Sequence, residues 1–164
     1  MRINVKEREE LARSFFREGY NCTQSVIFAF SDIIGIDRDS LAVLACGLGG
    51  GVGRMREVCG TVSAMAMISG CLTKKEPGSI SIYEQKKICY ALVQSLSERF
   101  KEDNGSIICR DLLDARIAAK KSHVPEERTE SYYKNRPCEE LVGYMARIIA
   151  ERIESDESLS VLTH

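Results

Sequence analysis

Apolar residues recur at three- and four-residue steps along most of the chain, and no segment alternates as a half-buried strand does. That period predicts an all-α fold, a single-domain multi-helix bundle. Leu11, Ala12, Phe15 and Phe16 share one face of a first helix over residues 5–17, which Gly19-Tyr20-Asn21 ends. Val26, Ala29, Phe30 and Ile33 continue the pattern over 22–34, with Cys22 on the same face. Asp39 or Ser40 is placed to cap a third helix reaching about Cys46. A glycine-rich run from Gly47 to Gly53 then permits left-handed backbone and leads into a helix of small residues over about 57–72. Lys74 to Ser79 reads as a connection. Ser81 caps a long helix to about Lys101, with a stripe of Ile88, Cys89, Leu92, Val93, Leu96 and Phe100, and Asp103-Asn104-Gly105 breaks it. A short helix is predicted over 109–119 and an exposed polar loop over 121–136. The last helix starts at Pro137-Cys138 and runs to about Ile153, with Leu141, Val142, Met145, Ile148 and Ile149 inward. The domain is expected to span 1–155, with a disordered acidic tail over 156–164.

The seven cysteines divide on this frame. Cys46, Cys71 and Cys89 fall late in helices or in mid-stripe and read as small core residues. Cys22, Cys59, Cys109 and Cys138 each stand where a helix begins. A helix start offers unpaired N–H groups and partial positive charge, which favour a thiolate. The magnitudes limit that effect. A helix terminus contributes roughly 0.3–1 kcal/mol. Two thiolates ~4 Å apart repel by about 4 kcal/mol at an effective dielectric of ~20. Four converging thiolates therefore need a cation, an iron–sulfur cluster or zinc, or they pair as disulfides. The intervals contain no Cys-x-x-Cys knuckle of the kind most structural zinc sites use. Arg54, Arg56, Arg110 and Arg136 stand close in sequence and can offset thiolate charge.

Composition narrows the classes. A net charge of −1 leaves no electrostatic footprint for nucleic acid. No apolar run is long enough to span a membrane, and the charged N-terminus has no signal-peptide centre. A cytoplasmic location is expected, where disulfide frameworks are uncommon and an odd cysteine count cannot pair completely. The Gly47–Gly53 run lacks the G-x-G-x-x-G spacing of a dinucleotide site. His123 and His164 stand far from the cysteines, which argues against a Cys–His hydrolase. Met55, Met65 and Met67 read as packing, and Glu139 and Glu140 as first-turn charges. Tyr132 and Tyr133 either anchor the 121–136 loop or mark a partner surface.

Four segments together carry a family likeness: Gly19-Tyr20-Asn21-Cys22; the glycine run into Cys59-Gly60-Thr61-Val62-Ser63-Ala64; Cys109-Arg110-Asp111-Leu112-Leu113; and Arg136-Pro137-Cys138. Over about residues 10–150 the chain resembles the small helical four-cysteine family of redox-active proteins that carries a CGAxxG motif (C_GCAxxG_C_C). The resemblance implies that Cys22, Cys59, Cys109 and Cys138 are the family's four cysteines. It also implies a redox role and a relation to split-Soret cytochromes, where a similar helical domain is associated with an iron–sulfur centre. Thr61 replaces the motif's alanine and Ala64 its second glycine. No Cys-x-x-Cys-His is present, so covalent haem is not expected.

The expected function is thus a redox or electron-transfer protein. Its four helix-start cysteines bind an iron–sulfur cluster or cycle between dithiol and disulfide, as a thiol or iron–sulfur oxidoreductase would use them. In the dithiol version Cys59 is the expected attacker, because the glycine run leaves it least crowded, a second cysteine resolves, and Cys59 and Cys22 are the catalytic candidates. The alternatives are a zinc-held structural module and a helical interaction domain with inert cysteines. An aerobic preparation is expected to be as readily metal-free. A redox partner protein and a homodimer are expected.

Overall fold

A computed structural model describes residues 3–159, so the predicted tail over 156–164 lies outside the described residues from Ser160 onward. Among the described residues the chain forms helices α1 (Val5–Arg17), α2 (Cys22–Phe28), α3 (Ser31–Ile34), α4 (Arg38–Cys46), α5 (Gly60–Leu72), α6 (Ile82–Asn104), α7 (Cys109–Leu112), α8 (Ala115–Ala118), α9 (Glu130–Lys134) and α10 (Cys138–Ser155). They contain no strand, only one isolated antiparallel bridge, Val58 to Ile108. The all-α bundle follows the apolar period. None of the helices is long and apolar enough to cross a membrane.

α1 lies along α10, α2 packs between them and α5, and α6 covers α5. Phe16, Ile27, Phe30, Met65, Ile68, Phe100, Met145 and Ile148 are among the fully buried side chains that join these helices.

Several boundaries differ from the sequence reading, each for a local reason. The 22–34 helix is two helices. Arg8 donates to the Ala29 carbonyl at 2.7 Å and pairs with Asp32, so the turn there closes through Phe30 instead. Asp37, not Asp39 or Ser40, caps α4 by accepting from the Ser40 amide. α5 starts at Gly60 rather than near 57, because 57–59 is extended against 107–109. α6 runs on to Asn104 and stops at Gly105 in the left-handed region. Only the second half of its stripe is buried, through Leu92, Leu96 and Phe100, while Ile88 is exposed. The predicted 109–119 helix breaks at Leu113, whose ψ of 155° is extended. The 121–136 loop contains α9 and is not free: Arg54 donates to the Ser122 and Val124 carbonyls, and Arg128 to those of Phe16 and Tyr20. α10 continues to Ser155, and Leu159 packs against the core.

Candidate functional site: a four-cysteine cavity

Each of the four cysteines begins a helix. Cys22, Cys109 and Cys138 are the first residues of α2, α7 and α10, and Cys59 is the N-cap of α5. Local chemistry fixes these starts. Asn21 and Gln24 form a capping box in front of Cys22, each side chain satisfying the other's backbone amide. Pro137 supplies the restricted φ that begins α10. Cys59 and Cys109 are tied to one another: the Cys59 amide donates to the Ile107 carbonyl at 2.8 Å, and the Cys109 amide to Glu57 at 2.6 Å.

Glycines admit the sulfurs. A Cβ on Gly60 would collide with the Cys22 sulfur and sit 2.6 Å from Thr23 Oγ1. A Cβ on Gly51 would lie 2.6 Å from Cys109 Cβ, and one on Gly49 equally close to Asn21. The loop around them is left-handed over most of Gly50–Arg56, including the non-glycine residues Val52 (φ 63°), Arg54 (65°) and Arg56 (62°). Such φ values are costly for a β-branched or bulky residue and concentrate at functional sites. Backbone bonds that reach back five or six residues, Gly53 to Gly47 and Glu57 to Gly51 among them, hold the coil closed.

The result is a cavity of about 70 Å³ whose wall contains all four sulfur-bearing residues, with Arg56, Arg128, Arg136 and Tyr132 and an apolar lining of Phe16, Leu112, Leu113 and Leu141. Residues separated by most of the chain's length meet there. The family profile described as "Putative redox-active protein (C_GCAxxG_C_C)" matches residues 20–152, which include the four cysteines. The chain belongs to this family. No curated protein and no solved structure shows significant similarity to the chain. In this C_GCAxxG_C_C protein the two departures from the CGAxxG motif are both buried. Ala64 packs in the α5 face without exposure, and the Thr61 hydroxyl lies 3.1 Å from the Cys59 sulfur.

Burial decides the electrostatics. Desolvation, followed by the neighbouring Cys22 sulfur, pushes the Cys59 thiol up to about 12. Cys138 is likewise pushed up to about 12 by burial and then by Cys22 and Cys59. Cys109 is raised by burial, while the adjacent Arg56 guanidinium pulls against the shift. The helix-start advantage is thus outweighed, since removing a charge from water costs far more than a helix terminus returns. The expectation that Cys59 is the least crowded sulfur is corrected: it is 7% exposed, deeper than Cys22 or Cys138.

Two features go beyond the sequence reading, which names Arg56 as a charge-offsetting candidate without its burial and places Arg128 in an exposed loop. Arg56 is 3% exposed, makes no ion pair among the described residues, and carries an unpartnered buried Nε; its Nη2 donates to the Lys120 carbonyl at 3.1 Å. A buried guanidinium without a carboxylate calls for another anion, and the nearest candidates are the sulfurs. Arg128, from the predicted exposed loop, stacks over Phe16 at 4.4 Å and Tyr132 at 4.7 Å and closes one wall. Only its position directly before a Thr N-cap hinted at order.

The remaining candidates fall elsewhere. Tyr133 donates from its hydroxyl to the Phe16 and Arg17 carbonyls, which anchors α9. Glu139 and Glu140 pair with Arg17 and Arg13. Arg110 pairs with Glu57 at the surface. Met65 is buried in the core, and Met55 is exposed. Cys71 and Cys89 are half-buried between α5 and α6, whereas Cys46 is exposed and not the core residue expected of it. His123 is exposed, and His164 lies outside the described residues.

Proposed function

We propose that Cys22, Cys59, Cys109 and Cys138 ligate an iron–sulfur cluster, making the protein a one-electron redox carrier. The observation that carries this reading is the convergence of four unpaired thiols on one small cavity beside a buried, carboxylate-free guanidinium. The donor set is that of iron–sulfur proteins. The volume favours a compact inorganic group. A dry cavity of ~150 Å³ binds benzene, and about 70 Å³ is smaller still and fits a compact group better than a flavin or nicotinamide ring. A single zinc ion needs its donors gathered at about 2.3 Å from one point. Among the described residues no group of three or more Cys, His, Asp or Glu side chains is already gathered to hold a metal ion. Zinc and a cluster alike require the sulfurs to close in, and zinc, with every donor on one point, requires the larger movement.

When bound, such a cluster supplies reversible one-electron transfer. The chain's own residues do the rest. Leu112, Leu113 and Leu141 exclude water, Arg56 and Arg136 offset negative charge, and the Thr61 hydroxyl, 3.1 Å from the Cys59 sulfur, donates to it once that sulfur is deprotonated. The high thiol pKa values fit this use. A metal removes the proton outright, whereas a bare Cys59 held near 12 is a poor nucleophile at neutral pH. The dithiol cycle therefore draws less support. We place the chemistry in the cytoplasm, where seven free cysteines stay reduced.

The test is anaerobic purification with iron, sulfide and visible-spectrum analysis, repeated on Cys59→Ser. The expected protein is brown, contains iron and sulfide, and loses most of its colour in the variant. A colourless protein with one zinc per chain, or a metal-free one whose thiols cycle, would overturn the proposal.

A further inference from the structure

The cavity has an antechamber. An open vestibule of about 370 Å³ shares six residues with it: Asn21, Gly50, Arg56, Arg128, Tyr132 and Arg136. Arg54, Glu126, His123 and the exposed Cys46 line its outer part. The two spaces differ in kind. The inner one adds sulfur and leucine to the shared arginines, whereas the outer one adds Arg54, Glu126, His123 and backbone of the glycine run.

The charges there do not balance. Arg54, Arg56, Arg128 and Arg136 face one carboxylate, Glu126, which Arg136 binds directly and Arg54 approaches at 3.4 Å. Arg128 spends both terminal nitrogens on neutral carbonyls, at 2.9 Å each, and Arg56 one on Lys120. Carbonyls satisfy donors but do not neutralise charge. Low-dielectric walls focus the surplus positive field into the opening. The volume lies in the range of metabolite pockets.

We propose that this vestibule is a binding site for a small anion, an oxyanion or carboxylate-bearing molecule, held one residue layer from the four sulfurs. The guanidinium groups supply fixed positive charge, and the buried Arg56 Nε is a donor still without a partner. Arg56, Arg128 and Arg136 belong to both walls, so a ligand there sits against the redox centre. Binding of the anion does not rest on the cluster proposal above.

Inorganic phosphate is the probe, titrated by calorimetry into the intact protein at constant ionic strength. Two substitutions outside the arginine set push in opposite directions. Glu126→Gln removes the opposing carboxylate and is expected to tighten phosphate binding by roughly three- to ten-fold. His123→Glu adds a carboxylate at the exposed rim and is expected to weaken binding by a similar factor. Partial unfolding cannot produce both signs, and far-UV circular dichroism verifies the fold of each variant. No saturable binding to the unaltered protein, or equal affinity in all three proteins, overturns the proposal. The outcome is independent of colour and iron content, so failure of the cluster reading and failure of this one are separable.

Discussion

At the scale of single residues, position was legible and environment was not. Helix starts are written in a few adjacent residues, such as Asn21 before Cys22 or Pro137 before Cys138, so the four cysteines could be placed on helix termini from sequence. Their burial depends on groups far along the chain, and burial reversed the expected sign of the thiol shifts. Thr61 shows the same limit. In sequence it is a small replacement for alanine; in space its hydroxyl is 3.1 Å from a redox-candidate sulfur. Hydrogen bonds to cluster sulfurs raise reduction potentials. Thr61→Ala is therefore expected to shift the midpoint negative by tens of millivolts, on the order of 1 kcal/mol for a one-electron couple. Thr61→Ser should keep the original value. Potentiometric titration followed in the visible distinguishes them, and a shift shared by both variants would assign the effect to packing.

At the scale of elements, long periodic helices were readable and their interruptions were not. α1, α6 and α10 were foreseen within a few residues at each end, because one apolar face is reinforced over many turns. The split between α2 and α3 depends on Arg8 taking the Ala29 carbonyl from another helix, which no local pattern announces. The glycine run was legible as flexible, but its left-handed coil and its role in admitting Cys109 required coordinates. Two substitutions in that coil separate backbone cost from crowding. Gly51→Ala meets both a φ of 69° and Cys109 Cβ at 2.6 Å, while Gly53→Ala meets a φ of 57° and only the Gly47 carbonyl at 3.9 Å. Both should lose about 1–3 kcal/mol of stability from the backbone. Only Gly51→Ala is expected to lose iron as well, measured per chain after anaerobic purification. Equal iron content in the two variants would exclude a role for the Cys109 contact.

At the scale of the whole molecule, the buried thiols couple folding to pH. In the reduced, cofactor-free protein Cys59 and Cys138 hold their protons up to about 12, against 9.0 for an ordinary thiol. The unfolded chain thus releases protons first as pH rises. The stability these thiols contribute is fully present below about pH 9 and is lost progressively toward pH 12. Urea midpoints at pH 8 and about pH 10.5 should fall more for the unaltered protein than for Cys59→Ser. Equal falls would show that the folded and unfolded chains release this proton at the same pH, so that burial does not raise the Cys59 thiol. The all-α class was inferable from the helices, but the pinning of the 119–129 segment by Arg54, Arg56 and Arg128 was not, because donors and carbonyls lie more than sixty positions apart. The paired backbone bonds between 57–59 and 107–109 have a temporal meaning too. All of α5 and α6 lies between those segments, so the two sulfurs they carry meet only after that hairpin has closed. A nascent or truncated chain lacking α6 holds Cys22 and Cys59 but has no finished receptacle, so the four thiols share one chamber only once the architecture around it is complete.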